Sequence, residues 1–382
     1  MLKNKYFFRN KSLIVFFSVL DFIGQKIINH KEIPSDFKPE KILISNIGHL
    51  GDVFLSIKVL EEIKERFPDS KIYFLCSSWS LKLIEKNPII NEIIIYDSFF
   101  LSSEKNFFIR IYKSLISFLK AFFSIKKTNP DIAFDLRASF PNTLLILGLT
   151  GVKGIFGYQT AGFGFFCDKK IIWREGVHET EHFFDVIRPL WDIPSYKLSK
   201  PINLSYLASD LNDSDLLNKY GINKDKYLVF HTVSRDRRKM IDINKWIELF
   251  NYCSLKYKVV FTGSREESEY INNYFKGFNN AINLAGELSI GELVLILKNS
   301  FLTVTLDSFV GQICSLLNLY SLVIFSGGVD IKRFGPLGDR CRVIKKDIFC
   351  SPCNWYIRKD CEYECMDIDI LSEFKKFEKE IE

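Results

Sequence analysis

Proline and glycine are scarce in this chain, 11 and 20 of 382 residues. Such a composition excludes a collagenous chain and a low-complexity one. No run of 18 uninterrupted apolar residues occurs, which excludes a bundle of membrane-spanning helices. Neither sign of charge dominates. The 52 Lys and Arg stand against 46 Asp and Glu, a formal net charge of +6, too dilute over this length to imply a nucleic-acid partner. Histidine is rare, five in all, and no short internal repeat is visible. What is there is 47% hydrophobic and 26% charged, the balance of a folded globular chain. The length suits two domains and a core that needs no disulfides.

Nine cysteines form two groups. Cys76, Cys167, Cys253 and Cys314 lie far apart and read as buried free thiols. An odd total with scattered singles fits a reducing compartment. Cys341, Cys350, Cys353, Cys361 and Cys365 crowd toward the C-terminus. The spacing Cys350-x2-Cys353-x7-Cys361-x3-Cys365 offers four thiolates to a tetrahedral Zn²⁺. The plainer reading is a loop of thiols, or one or two disulfides, that ties the tail.

Residues 1–31 carry six bases (Lys3, Lys5, Arg9, Lys11, Lys26, Lys31) and one acid, Asp21, around the short apolar run Leu13–Leu20. The run is too short to span a bilayer, and no small-x-small cleavage site follows it. An interfacial helix, bases on anionic head groups, fits better than a cleaved signal. A second such stretch is 107–127. Phe108, Ile111, Tyr112, Leu115, Leu119, Phe122 and Phe123 recur there at helical spacing, with five bases and no acid. It reads either as a core-facing helix with a solvated basic face or as a membrane-facing surface.

From Lys41 onward, short apolar strands alternate with helices. Strands are expected at Lys41–Asn46, Lys71–Cys76, Ile93–Tyr96 and Asp131–Asp135. After a proline-bearing linker they resume at Tyr227–His231, Lys258–Thr262, Phe301–Thr305 and Ser321–Phe325. Helices between them imply parallel sheets, hence two α/β units in tandem. The expected parts are a basic, apolar membrane-surface segment (1–40), a first domain (41–190), a linker (191–225), a second domain (226–345), and a Cys-rich tail with a final helix (346–382).

In such sheets ligands bind at the carboxyl ends of the strands, and four motifs lie just after strands. In the first, Ser45 to Val53, Gly48 and Gly51 permit a tight turn and a close backbone approach to a ligand. Asp52 opens the next helix, as a catalytic acid–base group or merely as an acid complementing the helix dipole. The second, 230–239, sets Thr232 and Ser234 beside four bases, a phosphate-binding composition or a solvated basic loop. The third, Thr262 to Glu267, can place Glu266 or Glu267 on a ribose. In the fourth, strand 301–305 runs into Asp307-Ser308, and amides at the following helix start form an anion site.

The order of these motifs, closed by Phe334-Gly335-Pro336-Leu337-Gly338, resembles the heptosyltransferase family, glycosyltransferase family 9. The likeness runs from about Lys41 to Asp369 and is densest at 41–72, 283–300 and 333–338. It implies two Rossmann-like domains facing a cleft, the GT-B type, with acceptor on the first, nucleotide sugar on the second, and a final helix crossing back to the first domain. It implies Asp52 as catalytic base, and Lys239 and Ser234 at the donor phosphates. Glu266 or Glu267 falls at the nucleoside, and Asp307, Ser308 and Gln312 at the donor helix. Gly51, His49, Asp135 and Arg137 are acceptor-side candidates, the last two alternatively a structural ion pair. The implied reaction is metal-independent, inverting transfer of a sugar, heptose from ADP-heptose by family precedent. The implied acceptor is a lipopolysaccharide-core-like or other glycolipid at the cytoplasmic face of the inner membrane. No cofactor or nucleic acid is required.

Two residues depart from the family pattern Asp-Ser/Thr-Gly-x-x-His: Phe309 replaces the glycine and Gln312 the histidine. A glutamine can donate to phosphate but carries no charge. The departures leave open a sugar-nucleotide-binding protein that has lost transfer. A third reading comes from His178-Glu179-Thr180-Glu181-His182, which fits the zinc-hydrolase pattern H-E-x-x-H.

Overall fold

The structure, a computed structural model, describes residues 6–8, 10–30, 32–34, 36–191, 201–224, 226–354 and 361–382. Lys3, Lys5, Arg9 and Lys31, and 192–200 and 225 of the expected linker, lie outside the described residues. The chain divides into two compact units, Met1–Lys197 and Leu198–Glu382.

The first unit runs α1 (Lys11–Ile27), β1 (Lys41–Asn46), α2 (Leu50–Arg66), β2 (Lys71–Cys76), α3 (Leu81–Ile84), β3 (Ile90–Ile95), α4 (Phe107–Thr128), β4 (Ile132–Asp135), α5 (Leu144–Thr150), β5 (Gly154–Gly157), β6 (Lys169–Lys170) and α6 (Glu179–Ile187). The second runs α7 (Asp213–Lys219), β7 (Tyr227–His231), α8 (Ile243–Cys253), β8 (Lys258–Phe261), α9 (Arg265–Phe275), β9 (Ala281–Asn283), α10 (Ile290–Lys298), β10 (Leu302–Leu306), α11 (Phe309–Leu316), β11 (Ser321–Ile324), α12 (Ile331–Phe334), β12 (Cys341–Ile344) and α13 (Ile370–Ile381).

Each unit holds one six-stranded parallel sheet. The orders are β3-β2-β1-β4-β5-β6 and β12-β11-β10-β7-β8-β9. Winding therefore reverses between β1 and β4 in one sheet and between β7 and β10 in the other. The central strands are apolar on both faces because helices cover both faces: Ile42, Leu43 and Ile44 are buried, as are Leu228, Val229 and Phe230.

The expected C-terminal helix is present as α13, and within the second unit it packs on α8. Ile370, Phe374 and Phe377 join the core that holds Trp246 and Phe250, and Tyr252 donates to Glu378 at 3.0 Å. Its apolar face is thus covered by α8 and its neighbours.

The N-terminal segment is likewise built into its unit. In α1 only Phe17, Asp21 and Gly24 are buried, and the Tyr6 hydroxyl donates to Asp21 at 2.6 Å. A Cβ on Gly24 would fall inside the Phe165 ring. Overpacking of that kind costs about 1–3 kcal/mol, more than the roughly 0.5–1 kcal/mol of helix propensity that alanine offers. Gly24→Ala is therefore expected to lower the melting temperature in a thermal scan. A raised one would show that α1 is not seated on Phe165.

Candidate active site

At the end of β1 the chain turns sharply, held by Asn46. Its side chain accepts from the Gly48 amide at 3.0 Å and donates to the Asp52 carbonyl at 3.1 Å. His49 then caps α2, and Asp52, at the third helical position, accepts from the His49 amide at 3.0 Å. This is the acid of a capping box. The same Oδ2 lies 3.5 Å from Arg137 Nη1, across the β1/β4 reversal. So Asp52 caps the helix and makes a charged contact, and its side chain keeps 28% exposure for a further partner.

Gly48 is fixed by crowding. A Cβ there would stand 2.5 Å from Asp52 Oδ2 and 2.6 Å from Arg137 Nη1. Gly51 is the opposite case, with nothing near its Cβ position, so the first turn of α2 is open to a ligand. Desolvation pushes the Asp52 carboxyl above its usual range. Arg137 opposes that shift, and the nearby Glu179 adds to it.

Arg137 is positioned by its own loop. Its Nε donates to the Pro141 carbonyl at 2.8 Å. Asp135, buried at the end of β4, accepts from the Arg137 amide at 3.1 Å and the Thr143 amide at 2.7 Å. Asp135 therefore shapes the loop from Arg137 to Thr143 from beneath, and its carboxylate is engaged within the protein.

The second unit repeats the arrangement. Lys239, in the loop after β7, reaches Asp307 after β10, Nζ to Oδ2 at 2.6 Å, across the β7/β10 reversal. Ser234 Oγ accepts from the Asp236 amide at 3.3 Å, and Asp236 is chelated by Arg238 at 2.8 Å. Arg235 and Arg237 are exposed. Ser308 caps α11, its hydroxyl 3.0 Å from Thr305 Oγ1. The two acids after β8 separate. Glu267 accepts from the Ser264 amide at 2.7 Å as a capping-box acid. Glu266 stays exposed, held below the usual carboxylate range by hydrogen bonds from its own amide and from Ser264, with Arg235 and Arg265 nearby.

Gln312 is buried in α11, and its Nε2 donates to the Phe334 carbonyl at 3.0 Å. It ties α11 to the 334–338 loop, as does Ser315, whose Oγ accepts from the Leu337 amide at 2.6 Å. Gln312 was a candidate from the sequence, whereas Ser315, Asn46 and Thr143 were not: Asn46 closes β1, Thr143 stands at the start of α5 and Ser315 lies inside α11, and only Asn46, a polar residue ending an apolar strand, carried a local signal.

The H-E-x-x-H stretch is occupied by structural contacts. His178 caps α6, and its Nδ1 accepts from the Thr180 amide at 3.2 Å. His182 uses both ring nitrogens, on Glu179 at 3.1 Å and the Arg174 carbonyl at 2.8 Å. Its ring stacks on Trp173. Cys350, Cys353, Cys361 and Cys365 line one pocket beside Arg238 and Tyr363, all four as free thiols. Among the described residues no group of three or more His, Cys, Asp or Glu is placed to hold a metal ion.

Asp135 makes a pH-dependent contribution. Burial raises its carboxyl from the ordinary 3.8 to about 6, against the two amides it accepts from. Between those values the folded protein holds a proton that the unfolded chain releases. The associated stability is full below the unfolded value and is lost as pH rises through about 6. Melting temperatures measured across this window should fall with rising pH more steeply in the parent than in Asp135→Asn. Parallel curves would contradict the assignment.

Comparison with known proteins agrees with this layout. The model of "Glycosyltransferase family 9 (heptosyltransferase)" matches residues 119–366. A curated relative, lipopolysaccharide heptosyltransferase 3 of Escherichia coli (strain K12), is 22% identical over 284 residues, 72% of this chain and 79% of that one. Among solved structures, a family 9 glycosyl transferase from Veillonella parvula superimposes with TM-score 0.72 at 18% identity, covering 91% of this chain and 99% of that one. The E. coli ADP-heptose lps heptosyltransferase II gives TM-score 0.68 at 18% identity, covering 88% and 98%. At such identities the structures show a shared fold, two Rossmann-like domains of the GT-B type. The family match begins at residue 119, so the Asp52 loop is supported by its own geometry.

Proposed function

We propose, for a chain that belongs to glycosyltransferase family 9 (heptosyltransferase) and is a glycosyltransferase, an inverting transfer of heptose or a similar sugar from a nucleotide diphosphate sugar to a glycolipid. The acceptor is of lipopolysaccharide-core type, and ADP-heptose is the donor that the family implies. The observation that carries this reading is a charged pair bridging each sheet reversal, Asp52–Arg137 in one unit and Lys239–Asp307 in the other. Reversal points are where open α/β sheets bind ligands.

In this mechanism the acceptor hydroxyl gives its proton to Asp52 while its oxygen attacks the anomeric carbon. The bond from that carbon to the diphosphate breaks, and the nucleotide diphosphate leaves. A desolvated carboxylate is a stronger base than one in water, and Arg137 fixes its direction. Lys239, aimed by Asp307, and the amides at the start of α11 stabilise the charge on the leaving diphosphate. Ser234 adds a hydroxyl there, and Glu266 reads the nucleoside. Gly51 leaves room for the acceptor beside His49. The protein works as a peripheral enzyme at the cytoplasmic face of the inner membrane. Among the described residues no helix is long and apolar enough to cross a membrane.

One observation favours a second reading. The Gln312 amide nitrogen gives one of its two hydrogens to the Phe334 carbonyl, and its uncharged side chain brings no positive charge to the position where the family has histidine. A sugar-nucleotide-binding protein without transfer would look this way.

Turnover separates the readings. Asp52→Asn keeps an acceptor for the His49 amide but cannot take a proton. It should lower turnover about 10²- to 10⁴-fold while leaving ADP affinity unchanged by calorimetry. Near-normal turnover with a lowered melting temperature would reduce Asp52 to a helix cap.

Lys239→Ala removes the cation from the donor site. ADP should then bind about 10- to 100-fold more weakly, the range for a lost charge-assisted hydrogen bond. Unchanged affinity would take Lys239 out of the site.

A further inference from the structure

Helix α4 is oriented against the usual rule for a surface helix, in which apolar residues face the core and charges face water. Its buried stripe is Ala121, Ile125 and Thr128. At 3.6 residues per turn, the opposite face carries Phe108, Tyr112, Leu115, Leu119 and Phe123. All five are exposed, Phe108 at 79%. Lys113, Lys120 and Lys127 run beside this stripe at every seventh position, and the helix contains no acid. Helix α1 repeats the pattern. Opposite its seated residues Phe17, Asp21 and Gly24 stand Val15, Val19 and Phe22, all exposed.

The two faces are joined by a chain of rings. Phe16 meets Phe17 at 5.2 Å, Phe17 meets Phe140 at 5.9 Å, and Phe140 meets Phe100 at 4.6 Å between centroids. Phe100 meets Phe99 at 5.4 Å, and Phe99 meets Phe107, in α4, at 5.9 Å. Phe140 directly precedes Pro141, whose carbonyl holds Arg137.

The link runs through buried Phe17, beneath two exposed apolar faces; faces of this extent mark an interaction site, and their charge selects the occupant. Helix α4 carries five bases and no acid, and although Glu104 pairs with Lys113 at 2.8 Å the flank keeps a net positive charge, so the complement is anionic. Lysine stems can lie along an apolar surface with the ammonium at a head group while Phe, Tyr and Leu enter the acyl boundary. We infer that α1, α4 and the ring chain between them form one docking surface of the first unit for an anionic lipid bilayer. This surface adjoins the loop that carries Arg137. The inference rests on the reading above that a membrane surface is a partner, and it names the face and the charge class of the lipid.

The test uses the full chain in flotation with phosphatidylcholine vesicles, with and without phosphatidylglycerol. Binding is expected with phosphatidylglycerol and should weaken as salt is raised. Phe108→Ser with Phe123→Ser should lower partitioning at least tenfold, and so should Val19→Ser with Phe22→Ser. Each of Lys120→Gln and Lys127→Gln should lower it about fivefold. Phe100→Ser, between the helices, should also lower it. Unchanged melting temperatures and ADP affinity in these variants would show that the fold is intact.

Equal binding to neutral vesicles overturns the anionic assignment, and parent-like binding by the helix variants overturns the face. An unaffected Phe100→Ser overturns its continuity. A dimer in sedimentation that Phe108→Ser with Phe123→Ser abolishes would make the occupant a second copy of this chain and overturn the proposal. A parent that binds no vesicle removes the membrane partner as well, whereas parent binding without discrimination by the variants removes only this surface.

Discussion

In a doubly wound sheet the helices on either side of the winding reversal part from one another. The loops that end the two central strands are left with no strand or helix between them. In each unit of this protein an acid and a base fill that gap, Asp52 with Arg137 and Lys239 with Asp307. Much else follows from holding these four side chains. Asn46 staples the turn before Asp52, Asp135 and Pro141 hold Arg137, and Gly48 is without a side chain because the first pair occupies its space. A charged pair at a partly open position is also one that an incoming ligand can reorganise, because neither partner is fully desolvated.

Much of the fold was legible in the sequence, for one physical reason. Strands covered by helices on both faces are continuous apolar runs, and β1, β2 and β7 stand at the residues expected. Strands β5, β6, β9 and β12 were not legible. β5 is Gly154–Gly157, four residues bounded by glycines, and β6 and β9 are two and three residues long. Segments that short carry no period, and only the neighbouring strand makes them strands. The helix at 107–128 was legible as a helix but not in its orientation. An apolar stripe at helical spacing reads the same whether it faces a core or a bilayer, and only the burial of Ala121 and Ile125 on the opposite side separates the two.

The site was legible in position and less so in function. The four motifs expected after strands do lie at strands' carboxyl ends, as the alternation required. Within the motifs, the sequence does not say which residues are exposed to a ligand and which are consumed by the protein. Asp135 and Glu267 look as available as Asp52 and Glu266, yet the first is buried on backbone amides and the second caps a helix. His178 and His182 satisfy a metal pattern by spacing alone, while their nitrogens serve a cap and a buried network. Such differences arise from contacts between residues distant in the chain, such as Asp52 with Arg137, and no local pattern records them.

The seating of α13 bears on how the two units come into being. The first unit has all its described elements once residue 191 has been made, with α1 waiting for Phe165 to dock against. The second unit cannot complete its core until Phe374 and Phe377 exist, because they pack with Trp246 and Phe250 from more than a hundred positions earlier. At the usual synthesis rate of roughly 5–20 residues per second, the α8 face waits several seconds, open to water, for a helix still inside the ribosome. During that interval the nascent chain carries a finished domain and an unfinished one, and chaperones have their clearest target on the unfinished one.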